Sequence, residues 1–432
     1  MRKIKRITVL LLSIIVIFVT GFNLDKVEAY GDIYSNREIG VYNTGNTINN
    51  KNNTVEKIGN KDESNSIKDE INIDDLDGKA KGQIESLYEY INKMKTDVEL
   101  MEYLNPKEYI QSYISEGKGN LSFDVLAKAT LSLCFKEVKS VLVLVVSITT
   151  IAIICALLKN LQDAFADESI SKIAFYACFV LVIMILSKSF IISISLAKNV
   201  INNISEFMNA LLPILVTMIG LAGGVTSAVA LDPFVLGAVV LIPKIYTTII
   251  IPFILMEFVL EFANNLSEEH KITNLCGLLK QCILWFQGII VTVFIALLTI
   301  RGITSKTLDA VTLKTAKFAI DNFIPIVGKT FSDAIASVAG YSLIIKNAIS
   351  SIGLIVIVFI LLYPIIKLVM MTFIYKLAAA LIEPISDSRI TKSLEAAGNS
   401  MVLIISCVLT ISLIFFILIA IMAQAGSFVI GG

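Results

Sequence analysis

The hydrophobic pattern of this chain divides it into a short apolar run near the start, a polar stretch, and a long series of apolar runs after about residue 139. A helix that spans a membrane needs about 20 mostly apolar residues, and seven runs have roughly that length or more. Every one must be helical, because each unpaired backbone group in lipid costs several kcal/mol. The seven predicted spans are Ser140–Leu158, Ile173–Leu196, Ala210–Leu231, Phe234–Phe262, Cys282–Ile300, Ile349–Tyr375 and Met401–Ala423.

The pattern therefore predicts an all-α fold, a polytopic helical integral membrane protein with about seven transmembrane helices. A further stretch, Ala334–Ile345, is moderately apolar. It predicts either an eighth crossing or a re-entrant segment. The multi-spanning domain is placed at residues 140–432, and its surroundings are the lipid bilayer.

The first 29 residues have the three parts of an export signal. A basic start is followed by the apolar run Ile7–Phe22, and Val27-Glu28-Ala29 supplies the modest side chains that signal peptidase reads. We predict a signal peptide over residues 1–29 with cleavage after Ala29; the alternative is an uncleaved first membrane helix. In both cases the basic residues stay inside, so the region that follows lies outside the cytoplasm.

Residues 30–81 are rich in Asn, Lys, Ser, Asp and Glu and include the low-complexity run Asn43–Asn53. Such a segment cannot bury enough apolar surface to offset its ordering entropy, and we predict a disordered extracytoplasmic tail. Over residues 82–139 apolar side chains recur at helical spacing, and Asn105-Pro106 breaks the pattern. Two short amphipathic helices are expected, lying on the membrane or against a partner.

The orientation of the spans follows from one loop. With the tail outside, seven spans put the segment Arg301–Lys346 in the cytoplasm. Its basic excess fits the tendency of cytoplasmic loops to carry Lys and Arg. The charges are Arg301, Lys306, Lys314, Lys317, Lys329 and Lys346 against Asp309, Asp321 and Asp333.

Charge and composition exclude several classes of protein. Lys+Arg and Asp+Glu are both 36, so the chain lacks the basic footprint of a nucleic-acid-binding protein. His270 is the single histidine and lies in a polar loop, which excludes a multi-histidine metal site. The six cysteines include no Cys-x-x-Cys pair, so zinc and thioredoxin-like sites have no support. We expect no cofactor, no metal and no enzymatic activity.

Two pairs of segments resemble each other within the chain. Asn209–Ile214 resembles Asp321–Ile326, and Lys271–Leu275 resembles Arg389–Leu394. One interpretation is a duplicated unit covering residues 209–300 and 321–424, an arrangement common in transporters, whose binding site lies between the repeats. The other interpretation is chance similarity between apolar sequences.

The region from Gly220 to Glu261 is the most unusual part of the apolar half. Three glycines within five residues interrupt one span, Asp232-Pro233 is predicted to end it, and prolines interrupt the next. Broken helices with buried polar groups often line a substrate or ion path, although helix packing and ordinary charges at span ends would give the same pattern. The candidate path-lining residues are Gly220, Gly223, Gly224, Asp232, Lys244, Glu257 and, in a later span, Lys367.

These residues also carry a family resemblance. The segments Leu221–Ser227, Leu241–Lys244 and Lys376–Asp387 resemble the stage III sporulation protein AE family of endospore-forming bacteria. The similarity runs from about Gly82 to the C-terminus, and the order of signal, polar tail and spans resembles the layout of that family.

The resemblance implies a role in endospore formation. Members of the family belong to an assembly across the two membranes between mother cell and forespore, which acts as a channel or secretion-like apparatus needed for late forespore gene expression. The implied location is the mother-cell membrane around the forespore. The implied partners are the other stage III A-group proteins, including the ATPase AA and the ring-forming AG and AH, and indirectly the stage II sporulation protein Q. The family supplies no catalytic motif that can be transferred to this chain.

Three functions follow as hypotheses: a permease- or channel-like subunit of that complex, an independent secondary transporter, and a structural membrane scaffold. A stand-alone transporter would move its solute without partners. A scaffold would tolerate changes to buried polar residues that leave folding intact.

Overall fold

A computed structural model describes residues 78–96, 98–117, 119–121, 127–135, 168–266, 272–323 and 328–425, with a few more between 138 and 157. Every regular element within these ranges is helical, which confirms the all-α fold. All the described helices belong to one compact unit, which falls within Lys61–Gly432. The predicted signal peptide and cleavage site, the tail up to residue 77, most of Ser140–Leu158, and His270 lie outside the described residues.

Eight α-helices are numbered in chain order. They are α1 Gly78–Met94, α2 Pro106–Glu116, α3 Glu168–Leu221, α4 Val225–Ile245, α5 Ile251–Leu266, α6 Thr273–Phe323, α7 Gly328–Ile382 and α8 Ser388–Gln424. A 3₁₀-helix at Glu99–Tyr103 links α1 to α2, and a π-helical turn at Tyr246–Ile250 links α4 to α5.

Five helical stretches among the described residues are long and apolar enough to cross a membrane: Phe179–Leu221, Val225–Leu266, Thr273–Ile300, Ser337–Ile382 and Ser388–Gln424. The outward face of the third is apolar, with Trp285, Phe286, Ile289 and Val293 exposed, as expected of a helix that faces lipid. These features fit the predicted polytopic membrane protein.

The boundaries between the spans differ from the prediction in two regions. The described residues of the predicted cytoplasmic segment Arg301–Lys346 are helical and belong to α6 and α7. Helix α3 runs without interruption through both Ile173–Leu196 and the first half of Ala210–Leu231. The prediction that Asp232-Pro233 ends a span is wrong, because Pro233 lies inside α4. Proline removes only one backbone hydrogen bond, and membrane helices tolerate this where neighbouring groups compensate.

The chain turns instead at the glycines between α3 and α4. The Gly224 N–H donates to the carbonyl of Ile219 at 2.9 Å, and the Gly223 N–H donates to the carbonyl of Gly220 at 3.1 Å. This is the hydrogen-bond pattern of a Schellman motif, whose C′ residue is left-handed. Gly223 has φ +88°, a conformation that side chains with a Cβ rarely adopt. The turn folds α4 back along α3, and the Ser205 hydroxyl donates to the carbonyl of Val239 at 3.2 Å.

Two prolines flank the irregular joint between α4 and α5, as the sequence predicted. Pro252 has no N–H to offer to the carbonyl of Thr248, so the normal α-helical bond cannot form there. The N–H of Ile251 donates instead to the carbonyl of Tyr246, five residues back. The Thr247 hydroxyl donates to the carbonyl of Pro243 at 2.9 Å. Single π-helical turns of this kind occur often at functional sites.

Helices α7 and α8 form an antiparallel hairpin with a constant register. A Cβ built on Gly353 would lie 3.5 Å from Ile419, and one built on Gly398 would lie 3.5 Å from Tyr375. Lys346 contacts Ala423 at the far end of the same pair of helices. In each contact the two residue numbers add to nearly the same value, so Lys367 of α7 stands at about the height of Ser406 in α8.

Lys346 closes the C-terminal end of α8. Its side chain is completely buried, and its ammonium donates to the carbonyl of Ala423 at 2.7 Å and to the carbonyl of Ala425. These are among the carbonyls that a helix leaves without an intrahelical partner. They carry the negative end of the helix dipole, which favours a cation at this position. A buried charge is therefore matched by the end of a helix.

Helix α8 lies at the centre of the bundle. It packs against all four other candidate spans, which are formed by α3, α6, α7 and the α4–α5 pair. Its buried residues lie on one wide face, from Ile390 through Met401 and Phe415 to Met422, and the residues of the opposite face are partly exposed. An apolar face of this width has to be covered, and here the chain's own helices cover it.

Two short helices, α1 and α2, lie in the region where two amphipathic helices were expected. Asn105 is the N-cap of α2 and Pro106 is its first residue, so the predicted break is a helix start. Helix α1 packs against α3, and α2 packs against α7. Tyr109 of α2 is buried, and its hydroxyl is hydrogen-bonded to Ser351 Oγ at 2.8 Å. Burial raises the pKa of Tyr109, and the bond to Ser351 opposes this rise. The apolar faces are thus covered by the chain's own helices.

Gly119→Ala is expected to loosen this contact. A Cβ at residue 119 would lie 1.8 Å from the Tyr109 ring, so the ring must move away and its bond to Ser351 is lost. Overpacking of this kind costs roughly 1–3 kcal/mol. Limited proteolysis of the purified protein should show faster cleavage around α2. Gly82→Ala is the matched control, because a Cβ there meets nothing within 4 Å; equal cleavage of the two variants would contradict the expected role of Tyr109.

Candidate functional site

Polar side chains contact α8 inside the bundle. Five of them form what we call the polar seam: Glu257 of α5, Gln287 of α6, and Ser400, Ser406 and Thr410 of α8. Glu257 and Ser400 are completely buried, and Gln287 is 4% exposed. Burying such groups costs free energy unless they are hydrogen-bonded, so their position calls for a structural or functional reason.

Glu257 lies at one end of the polar seam. Its Oε2 is 2.7 Å from Ser400 Oγ, which is also 3.0 Å from the carbonyl oxygen of Ala396. Its Oε1 has no hydrogen-bond partner among the residues that the structure describes. The neighbouring Phe258 stacks on Phe190 of α3 with ring centroids 3.7 Å apart, which holds α5 against the bundle at this point.

Further charged side chains extend from Glu257 toward the exposed surface. Glu261, one turn along α5, is half-buried, and Glu395 of α8 is exposed. Lys280 of α6 interacts electrostatically with both Glu257 and Glu261, and Glu395 acts on Glu261. We call Glu257, Glu261, Lys280 and Glu395 the acidic cluster. With all four ionised it would carry three negative charges and one positive charge.

The connection between α5 and α6 fixes this arrangement. Asn264 Oδ1 accepts hydrogen bonds from the Ile272 N–H at 2.8 Å and from the Thr273 hydroxyl at 3.2 Å. One asparagine therefore joins the end of α5 to the start of α6. As a result the carboxylates of α5 face Lys280, two turns into α6.

Gln287 lies deeper in the bundle along α8. Its Oε1 is 3.0 Å from Ser406 Oγ and 3.4 Å from Thr410 Oγ1, while its Nε2 has no partner among the described residues. Both hydroxyls also bond to carbonyls of α8, Ser406 to Leu403 at 2.9 Å and Thr410 to Ser406 at 2.6 Å. A hydroxyl has one hydrogen, so a hydroxyl that donates to its own helix can only accept from a neighbouring side chain.

The π-helical turn faces α8 at the level of Ser406. Tyr246, its first residue, is completely buried, and its hydroxyl has no hydrogen-bond partner among the described residues. Its side chain interacts with Cys407, the residue after Ser406. The irregular joint of α4 and α5 thus stands beside the polar seam.

The structure brings only some of the predicted path-lining residues together. Glu257 is in the polar seam, and the register of α7 against α8 puts Lys367 at a similar height to Ser406. The Lys367 ammonium donates to the Tyr363 hydroxyl at 3.1 Å. Lys244 is exposed, two residues before the π-helical turn. The side chain of Asp232 lies outside what the structure describes.

The three glycines stand apart from this group, in the turn between α3 and α4. Gly223 provides the left-handed residue of that turn, and Gly224 is the N-cap of α4. A Cβ on Gly220 would lie 3.8 Å from the Cβ of Ala228, an ordinary contact. A path-lining role for any of the seven residues stays a prediction.

Sequence reasoning missed Gln287, Ser400, Ser406 and Thr410. The signal was present, because a glutamine in the middle of the apolar run Cys282–Ile300 is rare in a lipid-facing position. The hydroxyl residues gave no signal, since Ser and Thr in membrane helices commonly bond to their own backbone.

Spanning helices with apolar outer faces and polar contacts around a central helix define a polytopic helical membrane protein. The particular family follows from sequence comparison: the profile of the Stage III sporulation protein AE family matches residues 104–426, and the chain belongs to that family.

A curated relative agrees with this assignment. Stage III sporulation protein AE of Bacillus subtilis (strain 168) is 29% identical over 328 residues, which cover 76% of this chain and 79% of that protein. No solved structure matches. The resemblance stated from the segments around Gly223, Lys244 and Glu383 is confirmed. The chain is a sporulation-related membrane protein, and its family is not a known enzyme family.

Proposed function

We propose that this protein is a permease- or channel-like membrane subunit of the complex that links mother cell and forespore during endospore formation, and that late forespore gene expression requires it. The observation that carries the proposal is the polar seam. Hydrogen-bonding groups from α5 and α6 converge on α8 inside a bundle whose outer surface is apolar. A scaffold needs no such groups, whereas a path for a polar solute does.

The proposal includes a location and partners. We place the protein in the mother-cell membrane around the forespore, with its N-terminal region outside the cytoplasm. Its partners would be the other stage III A-group proteins, including the ATPase AA and the ring-forming AG and AH, and indirectly the stage II protein Q. Family membership supports this assignment.

The first experiment is deletion of the gene in its sporulating host, combined with purification of a tagged copy from the same cells. Arrest after engulfment, together with co-purifying A-group proteins, supports a complex subunit. Normal spores without such partners would remove the proposal. Solute uptake by vesicles that contain this protein alone would favour the independent transporter.

The role of the polar seam is tested by Gln287→Leu. We expect about a tenfold loss of heat-resistant spores, because leaving a buried polar partner unsatisfied costs about 1–3 kcal/mol, and 1.4 kcal/mol corresponds to a factor of ten. The protein should still accumulate and keep its partners. Gln281→Leu is the matched control on the exposed face of the same helix. Normal sporulation with both variants would favour the scaffold.

Among the earlier candidates, Lys244→Met is a usable companion test, because Lys244 is exposed and folding should survive its loss. Gly223→Leu is not usable, since its left-handed backbone would be strained and a failure would report only on folding.

A further inference from the structure

If Glu257 is ionised, the oxygens around it that accept hydrogen bonds outnumber the hydrogens available to them. Ser400 Oγ is within bonding distance of two acceptors, Glu257 Oε2 at 2.7 Å and the Ala396 carbonyl at 3.0 Å, but it has one hydrogen to donate. If that hydrogen goes to Ala396, then Oε2 and Ser400 Oγ are two oxygens at close range without a hydrogen between them. If it goes to Glu257, the carboxylate still has an Oε1 without a partner among the described residues.

A proton on Glu257 resolves the conflict. The protonated Oε2 would donate to Ser400 Oγ, and Ser400 would donate to the carbonyl of Ala396, so that each hydrogen has one acceptor. The Oε1 atom would then be a neutral carbonyl oxygen. An unsatisfied neutral oxygen costs much less in an apolar interior than an unsatisfied charge.

Gln287 shows the same arrangement next along α8. Ser406 and Thr410 both bond to carbonyls of their own helix, so they too act as acceptors toward the neighbouring side chain. Exchanging the two ends of the Gln287 amide, which cannot be distinguished by shape, lets its NH₂ group donate to both. Hydroxyls of α8 therefore accept from α6 at Gln287, and by the same logic from α5 at Glu257.

The charges around Glu257 also favour a proton on its carboxyl group. Glu257 interacts electrostatically with Glu261 on its own helix and with Lys280 on α6. Cys276 of α6 interacts with both carboxylates, and Glu395 of α8 interacts with Glu261. One lysine faces three carboxylates. A single added proton removes one of the two excess negative charges at the place where burial is greatest.

We infer that Glu257 is a proton-binding site, which holds a proton on Oε2 against Ser400 and exchanges it with water through the half-buried Glu261 and the exposed Glu395. The ligand is a proton, and the site is formed by α5 and α8. This inference is independent of the proposed function, because it concerns the folded protein alone.

Infrared spectroscopy of the purified full-length protein in lipid at neutral pH decides the matter. The spectrum of Glu257→Gln subtracted from that of wild type should show the carbonyl stretch of a protonated carboxylic acid, lost in the variant. Transfer to deuterated water should shift that band, because the proton exchanges. Loss of carboxylate bands in place of the acid band would overturn the inference.

Two further variants complete the test. Glu102→Gln is the control outside the site and should lose carboxylate bands, because that side chain is exposed. Glu257→Gln should itself fold and unfold at the temperature of wild type, since its amide donates to Ser400 as the acid would. A variant that fails to fold would therefore also count against the inference. A failure of the sporulation experiments would leave the infrared result unaffected.

Discussion

Gly353→Leu is expected to prevent stable folding of the bundle. Gly353 lies where α3, α7 and α8 meet, and a Cβ there would already be 2.8 Å from Leu211 and 3.5 Å from Ile419. Both neighbours are buried and cannot move into solvent. Overpacking a closed site costs roughly 3 kcal/mol at the upper end of the usual range, a large share of the stability of a protein.

Fluorescence-detected size exclusion of the tagged protein, before and after heating, provides the measurement. The variant should give a low yield and a markedly lower melting temperature. Gly288→Leu is the control, because Gly288 is also in a spanning helix but a Cβ there meets nothing within 4 Å. Equal melting temperatures for the two variants would mean that the three helices are not in contact at Gly353.

Lys346→Met should destabilise the protein by a comparable amount. Methionine is unbranched and only one heavy atom shorter than lysine, but it leaves the carbonyls of Ala423 and Ala425 without the ammonium that binds them. A lost hydrogen bond to a charged group costs about 1.5–3 kcal/mol, and the favourable interaction with the helix dipole is lost as well. We expect a total of about 3 kcal/mol.

Hydrogen exchange followed by mass spectrometry separates this effect from a general loss of stability. Protection should fall first in the last turns of α8. Lys392→Met, at the other end of the same helix and exposed, is the matched variant and should behave as wild type. If Lys346→Met left protection at residues 419–425 unchanged, the buried lysine would have no role in closing the helix.

Local signals in the sequence predicted part of this architecture well. Apolar runs of sufficient length mark the spans whatever surrounds them, because lipid leaves the backbone no alternative to a helix. Asn105-Pro106 predicted a break in the helical pattern, and the structure has the start of α2 there, since a capping side chain and a proline at the first position act locally. The prolines around Tyr246 likewise gave the irregular joint of α4 and α5.

Other features depend on which helices become neighbours, and the sequence could not supply that. Asp232-Pro233 has a strong local signal for a helix end, but the Schellman turn at Gly223 ends the preceding helix earlier and α4 continues through Pro233. Lys346 was counted among the basic residues of a loop. Its burial depends on a helix end that lies 77 residues further along the chain.

The candidate site shows the same division. Glu257 could be singled out because a carboxylate in an apolar run is costly wherever it lies. Its partner Ser400 is 143 residues away and has no feature of its own that marks it. Only the folded arrangement of α5 against α8 shows that one hydrogen is missing between them.

The central place of α8 has a consequence for synthesis. Every spanning helix that packs around α8 leaves the ribosome before it does, so each enters the membrane without its main neighbour. During that interval the residues that will contact α8 must be shielded by lipid or by an insertion factor. Glu257 is then without its hydrogen bond to Ser400. Slow translation or premature termination within residues 388–424 should therefore expose the helices already inserted to membrane quality-control proteases. The abundance of this protein in the cell should then depend on how quickly α8 is synthesised.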